Sequence, residues 1–167
     1  IDRGSAKNIN FGLVYGMGEE LLASILGVSL DIADELIQAY HQGVPFVKHT
    51  YNAASKRAQK REYIRTILNR RRRFPGGNFT HKALNALLQG GNADIMKKAM
   101  VIIWESGICA VLGAPLLTVH DELDFSAPRT AQAAEALREV KHIRETCVKI
   151  NVPIVCAHET GADWGHL

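Results

Sequence analysis

The sequence is short of several things, and each shortage removes a class of protein. Cysteine is scarce and odd in number: Cys109, Cys147 and Cys156 lack CxxC spacing. Neither a disulfide framework nor a zinc site is therefore expected, and the three thiols read as buried or idle groups in a reducing compartment. No apolar run approaches the roughly 18 residues a membrane-spanning helix needs, so no membrane partner is expected. Residue 1 is isoleucine rather than an initiator methionine, and Lys7 and Asn8 interrupt any apolar opening. No secretory leader is expected, the start reads as the interior of a longer frame, and the location expected is cytoplasmic. Repeats, low-complexity tracts and a clear linker are also missing. What remains is 167 residues with 47% hydrophobic content, enough for one folded domain or one lobe of a larger enzyme.

Charge is the first positive signal. The net value is +3, but the mean conceals a segregation. Between Lys48 and Lys82 lie eleven of the twenty basic residues, facing Glu62 alone. They are Lys48, Lys56, Arg57, Lys60, Arg61, Arg65, Arg70, Arg71, Arg72, Arg73 and Lys82. The rest of the chain is net acidic. A block of one sign this dense repels itself unless a polyanion neutralises it, and nucleic-acid backbone is the natural candidate; a solvated basic surface is the plainer alternative.

Periodicity and punctuation predict helices over 3–15 and about 19–26, then a third that Ser29 can cap before Leu30, Ala33, Leu36, Ile37 and Tyr40. Gly43 and Pro45 punctuate, and 46–61 resumes as a helix with a basic face. The β-formers from Tyr63 to Phe74, with Asn69 as turn residue, predict a short hairpin. Thr80 is placed to cap a long helix from about 81 to 106. That helix holds Gly90 and Gly91 in its interior, an arrangement that close approach of another backbone or a ligand can offset. Leu116–Val119 and Leu123–Phe125 read as strands around a tight acidic turn. Residues 131–148 read as an amphipathic helix with Ala134, Leu137, Val140 and Ile143 inward, and 153–157 as a last strand.

Three constellations carry chemistry. Arg3, Lys7, Phe11 and Tyr15 step by four along one helical stripe. Cations one turn apart repel unless an anion lies across them, and an aromatic beyond them can pack on a sugar or base. A phosphate or nucleotide fits this stripe, and so does an ordinary amphipathic helix with surface cations. His120, Asp121 and Glu122 stand at the expected hairpin. Adjacent carboxylates destabilise each other unless a cation sits beside them, and hard oxygen ligands suit Mg²⁺; a polar turn without metal is the alternative. His81, Asn85 and Gln89 step by four on the long helix, where amides can meet a base edge or sugar in the minor groove or simply face water.

Taken in order, these segments resemble family A (polymerase I–type) DNA polymerases. The run Arg3-Gly-Ser-Ala-Lys7-Asn-Ile-Asn-Phe11-Gly-Leu-Val-Tyr15-Gly resembles motif B, Val119-His120-Asp121-Glu122 resembles motif C, and His81-Lys-Ala-Leu-Asn85-Ala-Leu-Leu-Gln89-Gly resembles the helix between them. His81 stands where many bacterial members have arginine, and this wording is closer to the phage replicative branch, which would place the protein in a host cytoplasm.

The resemblance implies an α+β fold, with helical fingers over 1–80 followed over 81–167 by part of a palm with a small antiparallel sheet. It implies Arg3 and Lys7 on the incoming dNTP phosphates, with Lys7 as general acid to the pyrophosphate. Phe11 would lie at the nucleotide sugar, where phenylalanine goes with discrimination against dideoxynucleotides, and Tyr15 at the templating position. It further implies Asp121 and Glu122 at a Mg²⁺ site, His120 near the primer terminus, and His81, Asn85, Gln89, Arg70 and Arg71 on primer–template DNA. The reaction implied is two-metal nucleotidyl transfer.

One departure matters. No Asp-Tyr-Ser-Gln-Ile-Glu-type string, the family's motif A, occurs in the chain. A truncated or split polymerase is therefore expected, inactive alone and requiring a chain or segment that bears motif A and the thumb. The alternative is a non-catalytic nucleic-acid-binding module derived from a polymerase.

Overall fold

The structure, a computed structural model, describes residues 3–166, without the side chain of Ser5; Ile1 and Leu167, the outer residues of the two expected segments, lie outside it. The chain forms two compact units, one up to Gly91 and the other from Asn92.

The first unit is mainly helical. Helix α1 spans Arg3–Val14, α2 Glu19–Leu26, α3 Leu30–Gly43 and α4 Pro45–Arg61. Their starts follow local chemistry. Ser29 Oγ accepts from the Ile32 amide at 3.4 Å, and Pro45 opens α4 where its missing N–H costs nothing. Leu13, Leu22, Ala23 and Ala33 close one small core around α1, α2 and α3. Gly16, just past α1, has φ of 87°, and a Cβ there would lie 2.8 Å from the Tyr51 ring; both the dihedral and the close approach require glycine.

A second core sits under the expected hairpin. Strands β1 (Tyr63–Arg65) and β2 (Arg71–Arg73) pair antiparallel, Tyr63 opposite Arg73 and Arg65 opposite Arg71. Ala54 and Ala58 of α4 are small enough to let Ile64 and Phe74 approach, with Ala83 and Leu84 completing the cluster. Glu62 ends α4 in the left-handed region (φ 57°). Its carbonyl accepts from Phe74 and its Oε1 from the Gly76 amide at 3.0 Å. The one acidic residue of the basic window is thus occupied in closing the turn.

Helix α5 spans Ala83–Glu105 and contains the boundary between the units. Thr80 does not cap it, contrary to expectation. Phe79 takes φ of 57° and Thr80–Lys82 forms a 3₁₀ turn with no side-chain cap, so the chain tightens for three residues before α5 begins. The interior Gly90 is explained within the first unit: a Cβ there would lie 2.7 Å from Thr66 Cγ2, and its carbonyl accepts from Arg70 Nη2 at 2.9 Å.

In the second unit, α6 (Cys109–Leu112) leads to β3 (Leu117–Val119), β4 (Glu122–Asp124) and α7 (Ala131–Thr146). Thr130 Oγ1 caps α7 through the Ala133 amide at 3.1 Å. Ala99, Ile103, Ile108, Leu112, Ala133, Ala136, Val140 and Ile143 form its core. The inward alanines are therefore 133 and 136, and Ala134, expected inside, is exposed; alanine is short enough for either face, so its identity does not decide. The expected strand at 153–157 does not form. A strand needs a partner backbone, and here the Cys156 amide donates instead to a side chain, Glu145 Oε1, at 2.9 Å. The described residues thus form an α+β chain with two two-stranded sheets.

Candidate nucleotide and nucleic-acid site

Helix α1 presents Arg3, Lys7 and Phe11 to solvent, with Tyr15 half-buried one residue past its end. Lys7 Nζ stands 6.0 Å from the Phe11 ring centroid, and the Phe11 and Tyr15 rings stack at 6.2 Å and 20°. Cation and aromatics thus lie in sequence on one helical face, as the spacing of four requires. Tyr15 Oη accepts from Gln89 Nε2 at 3.1 Å, bringing two sequence-identified residues together. Asn10, on α1 as well, accepts from Tyr40 Oη at 2.7 Å, which fixes the roll of α1 against α3. Neighbouring His41 has a buried Nδ1 with no hydrogen-bond partner. Burial, then the charge of Lys48, hold its pKa below the ordinary value.

All eleven cations of the basic window are exposed. Several are ordered by aromatic neighbours. Arg71 and Arg65 lie 5.0 and 5.9 Å from the Tyr63 ring, Arg72 lies 5.9 Å from Phe74, and Lys82 lies 5.6 Å from Phe79. Arg70 turns the other way, toward the Gly90 carbonyl. His81 makes an edge contact with Phe79. Asn85 is half-buried and Gln89 exposed on α5. His81 stands on the 3₁₀ turn, so the regular helical step joins only the latter two.

In the second unit, the turn of the β3–β4 hairpin is His120-Asp121, since Val119 pairs with Glu122. The acidic pair is therefore divided: Asp121 is at the tip and Glu122 begins β4. The reason is local. His120 takes φ of 54°, and a positive φ at the first central position closes a hairpin in two residues. Both carboxylates are exposed, and among the described residues neither has an intramolecular partner. Free, hard oxygen donors at a tight turn fit a hydrated divalent cation such as Mg²⁺. No cluster of three or more acidic, His or Cys side chains suited to a metal exists among the described residues, so Asp121 and Glu122 fit such an ion as part of a ligand set.

These two residues line a cleft of about 280 Å³ with Asn92, Met96, Arg144 and the 154–157 stretch. Arg144 was not found from sequence. Its guanidinium donates to the Asp121 carbonyl, a bond between residues far apart in the chain that no local pattern announces. Asp124, also missed, has a buried Oδ2 without a partner; the signal available was a carboxylate interrupting the apolar Leu123 and Phe125. Cys147 gives its thiol to the Ile95 carbonyl at 3.7 Å, and burial pushes its pKa up, which keeps the nucleophilic thiolate scarce.

Comparison with known proteins bears on the whole chain. The DNA polymerase family A profile matches residues 1–166. A DNA-directed DNA polymerase of Pseudomonas phage M6 is 33% identical over 205 residues, covering 99% of this chain and 30% of that protein. DNA polymerase I of Bacillus caldotenax is 35% identical over 175 residues, covering 97% and 20%. Among solved structures, the POL domain of Pol1 from M. smegmatis in complex with DNA primer–template and dNTP superposes with a TM-score of 0.82 at 30% identity, over 90% of this chain and 28% of that one. The chain thus spans between a fifth and a third of the length of these relatives. With the profile covering it from end to end, the chain belongs to DNA polymerase family A.

Proposed function

We propose that this chain supplies the nucleotide-binding helix and part of the metal site for template-directed DNA synthesis, with residues 1–80 as fingers and 81–167 as part of the palm. The observation that carries this reading is the α1 stripe, on which Arg3, Lys7, Phe11 and Tyr15 follow one another. The relative captured with primer–template and dNTP supports the same substrates for this chain.

In this reaction the primer 3′ oxygen bonds to the α-phosphorus of a dNTP, the bridging P–O bond to the β-phosphate breaks, and pyrophosphate leaves. Arg3 and Lys7 hold the phosphates, and the Lys7 ammonium gives its proton to the departing pyrophosphate oxygen. Phe11 packs at the sugar and Tyr15 at the templating position. His120 lies near the primer terminus, while His81, Asn85, Gln89, Arg70 and Arg71 contact primer–template. Asp121 and Glu122 would hold Mg²⁺, which when bound in a pair supplies charge neutralisation at the triphosphate and a more acidic 3′ hydroxyl. The missing carboxylate belongs to a motif A–bearing segment, without which these 167 residues do not extend a primer.

The exposed arginines of β2 favour a second reading, a nucleic-acid-binding module without catalysis. Equilibrium binding separates the two. If the first holds, Arg3→Ala and Lys7→Ala each weaken binding of a fluorescent dNTP about tenfold, the scale of one charge-assisted hydrogen bond, and leave DNA affinity intact. A chain that holds DNA with steep salt dependence and is indifferent to Lys7→Ala is a binding module.

A further inference from the structure

The last turn of α7 carries two adjacent side chains that each bond the backbone of a residue lining one cleft. Val140 and Ile143 are buried in the core of the second unit and fix the roll of the helix. Arg144 and Glu145 then project in directions about 100° apart. The Arg144 guanidinium donates to the main-chain carbonyl of Asp121. Glu145 Oε1 accepts from the Cys156 amide at 2.9 Å and lies 3.9 Å from Lys141 Nζ. Asp121, Glu122, Arg144 and Ile154–Ala157 all line one cleft.

The bond from Arg144 is placed where the hairpin most needs it. Asp121 lies outside the paired strands and follows His120, which sits at φ of 54°. A non-glycine residue in that region persists only where its surroundings hold it. Arg144 takes the backbone oxygen and leaves the Asp121 and Glu122 carboxylates free of intramolecular partners among the described residues.

We propose that Arg144 is a positioning residue for the acidic turn: by holding the Asp121 carbonyl it presents the Asp121 and Glu122 carboxylates to a divalent cation, with Glu145 bracing the 154–157 stretch through the Cys156 amide. This rests on the reading of Asp121 and Glu122 as cation ligands.

The test is a Mn²⁺ titration, followed by amide NMR, of the ¹⁵N-labelled 167-residue chain and its variants. In the wild type, paramagnetic broadening centres on Asp121 and Glu122 and reaches Ile154–Ala157. Arg144→Met weakens Mn²⁺ binding about tenfold, the lower end of what outer-shell partners contribute to metal affinity, and broadens the 119–122 amides before metal is added. Arg144→Lys, which keeps a charge and a donor, recovers part of the loss; a purely steric role would not be rescued this way. If the methionine variant does not fold, Arg144→Gln serves, with the same weakening expected. Wild-type affinity and sharp hairpin amides in the methionine or glutamine variant overturn the inference. Asp121→Ala separates the two levels. If it binds Mn²⁺ as the wild type does, the cation reading of the turn fails; if it loses Mn²⁺ while Arg144→Met does not, only the role of Arg144 fails.

Discussion

The two hairpins of this chain share a plan and differ in charge and in turn chemistry. Each pairs two three-residue strands. The first places three exposed arginines on β2 and closes with Asn69 at φ of 72°, a conformation asparagine adopts at little cost. Its side chain also accepts from Arg65 at 2.6 Å. The second places two free carboxylates at its turn and closes with His120 at φ of 54°, a position histidine occupies at a cost. The first turn is relaxed and backed by α4 and α5; the second is strained and held by one arginine bond from α7. Under the proposed function, the turn with a positive φ and unneutralised carboxylates serves the chemistry, and the relaxed one carrying cations faces the polyanion.

That contrast can be broken in steps of decreasing size. Asp121→Ala is expected to cost on the order of a thousandfold in primer extension by the completed enzyme, the scale of several kcal/mol of lost metal-supported stabilisation. The same substitution should leave the salt dependence of DNA binding unchanged. Arg71→Ala and Arg72→Ala should do the reverse, each lowering the salt slope of DNA affinity by about 1, measured by titration at several ionic strengths. Gly90→Ala tests the backing of the first hairpin. Its Cβ, 2.7 Å from Thr66 Cγ2, should cost roughly 1–3 kcal/mol in chemical denaturation. His120→Gly should stabilise the second hairpin by about 1 kcal/mol through relief of the left-handed backbone while lowering activity. Smallest is a pH effect in the first unit. The folded His41 is held below its ordinary value of 6.5, so the unfolded chain takes up the proton more readily. Stability is complete above that value and declines as pH falls below it; His41→Phe should flatten the melting temperature between pH 7 and 5.

Much of this was legible in the sequence, for reasons that differ by region. The Arg3–Tyr15 stripe, the Ser29 cap and the Tyr63–Phe74 hairpin are written in residues a few positions apart, and local spacing recovers them. Thr80 failed as a cap because Phe79 turns left-handed just before it, a choice the side chain does not advertise. The 153–157 stretch has strand composition, but composition cannot say whether a partner backbone is present. Arg144 was invisible for the same reason: its partner, Asp121, lies 23 residues away, and only the packing of α7 on its core brings them together. The division of Asp121 from Glu122 hinged on one dihedral at His120.

The proposal that this chain holds the nucleotide-binding helix and an incomplete metal site of a DNA polymerase is put to the test by complementation. The purified 167-residue chain is mixed with primer–template, dNTPs and Mg²⁺, with and without a polypeptide bearing the motif A strand and thumb, and extension is followed on a sequencing gel. The expected result is no extension by the chain alone, extension with the partner, and its loss with Asp121→Ala. Extension by the chain alone that disappears in Asp121→Ala, or a partner mixture indifferent to Asp121→Ala, would contradict it.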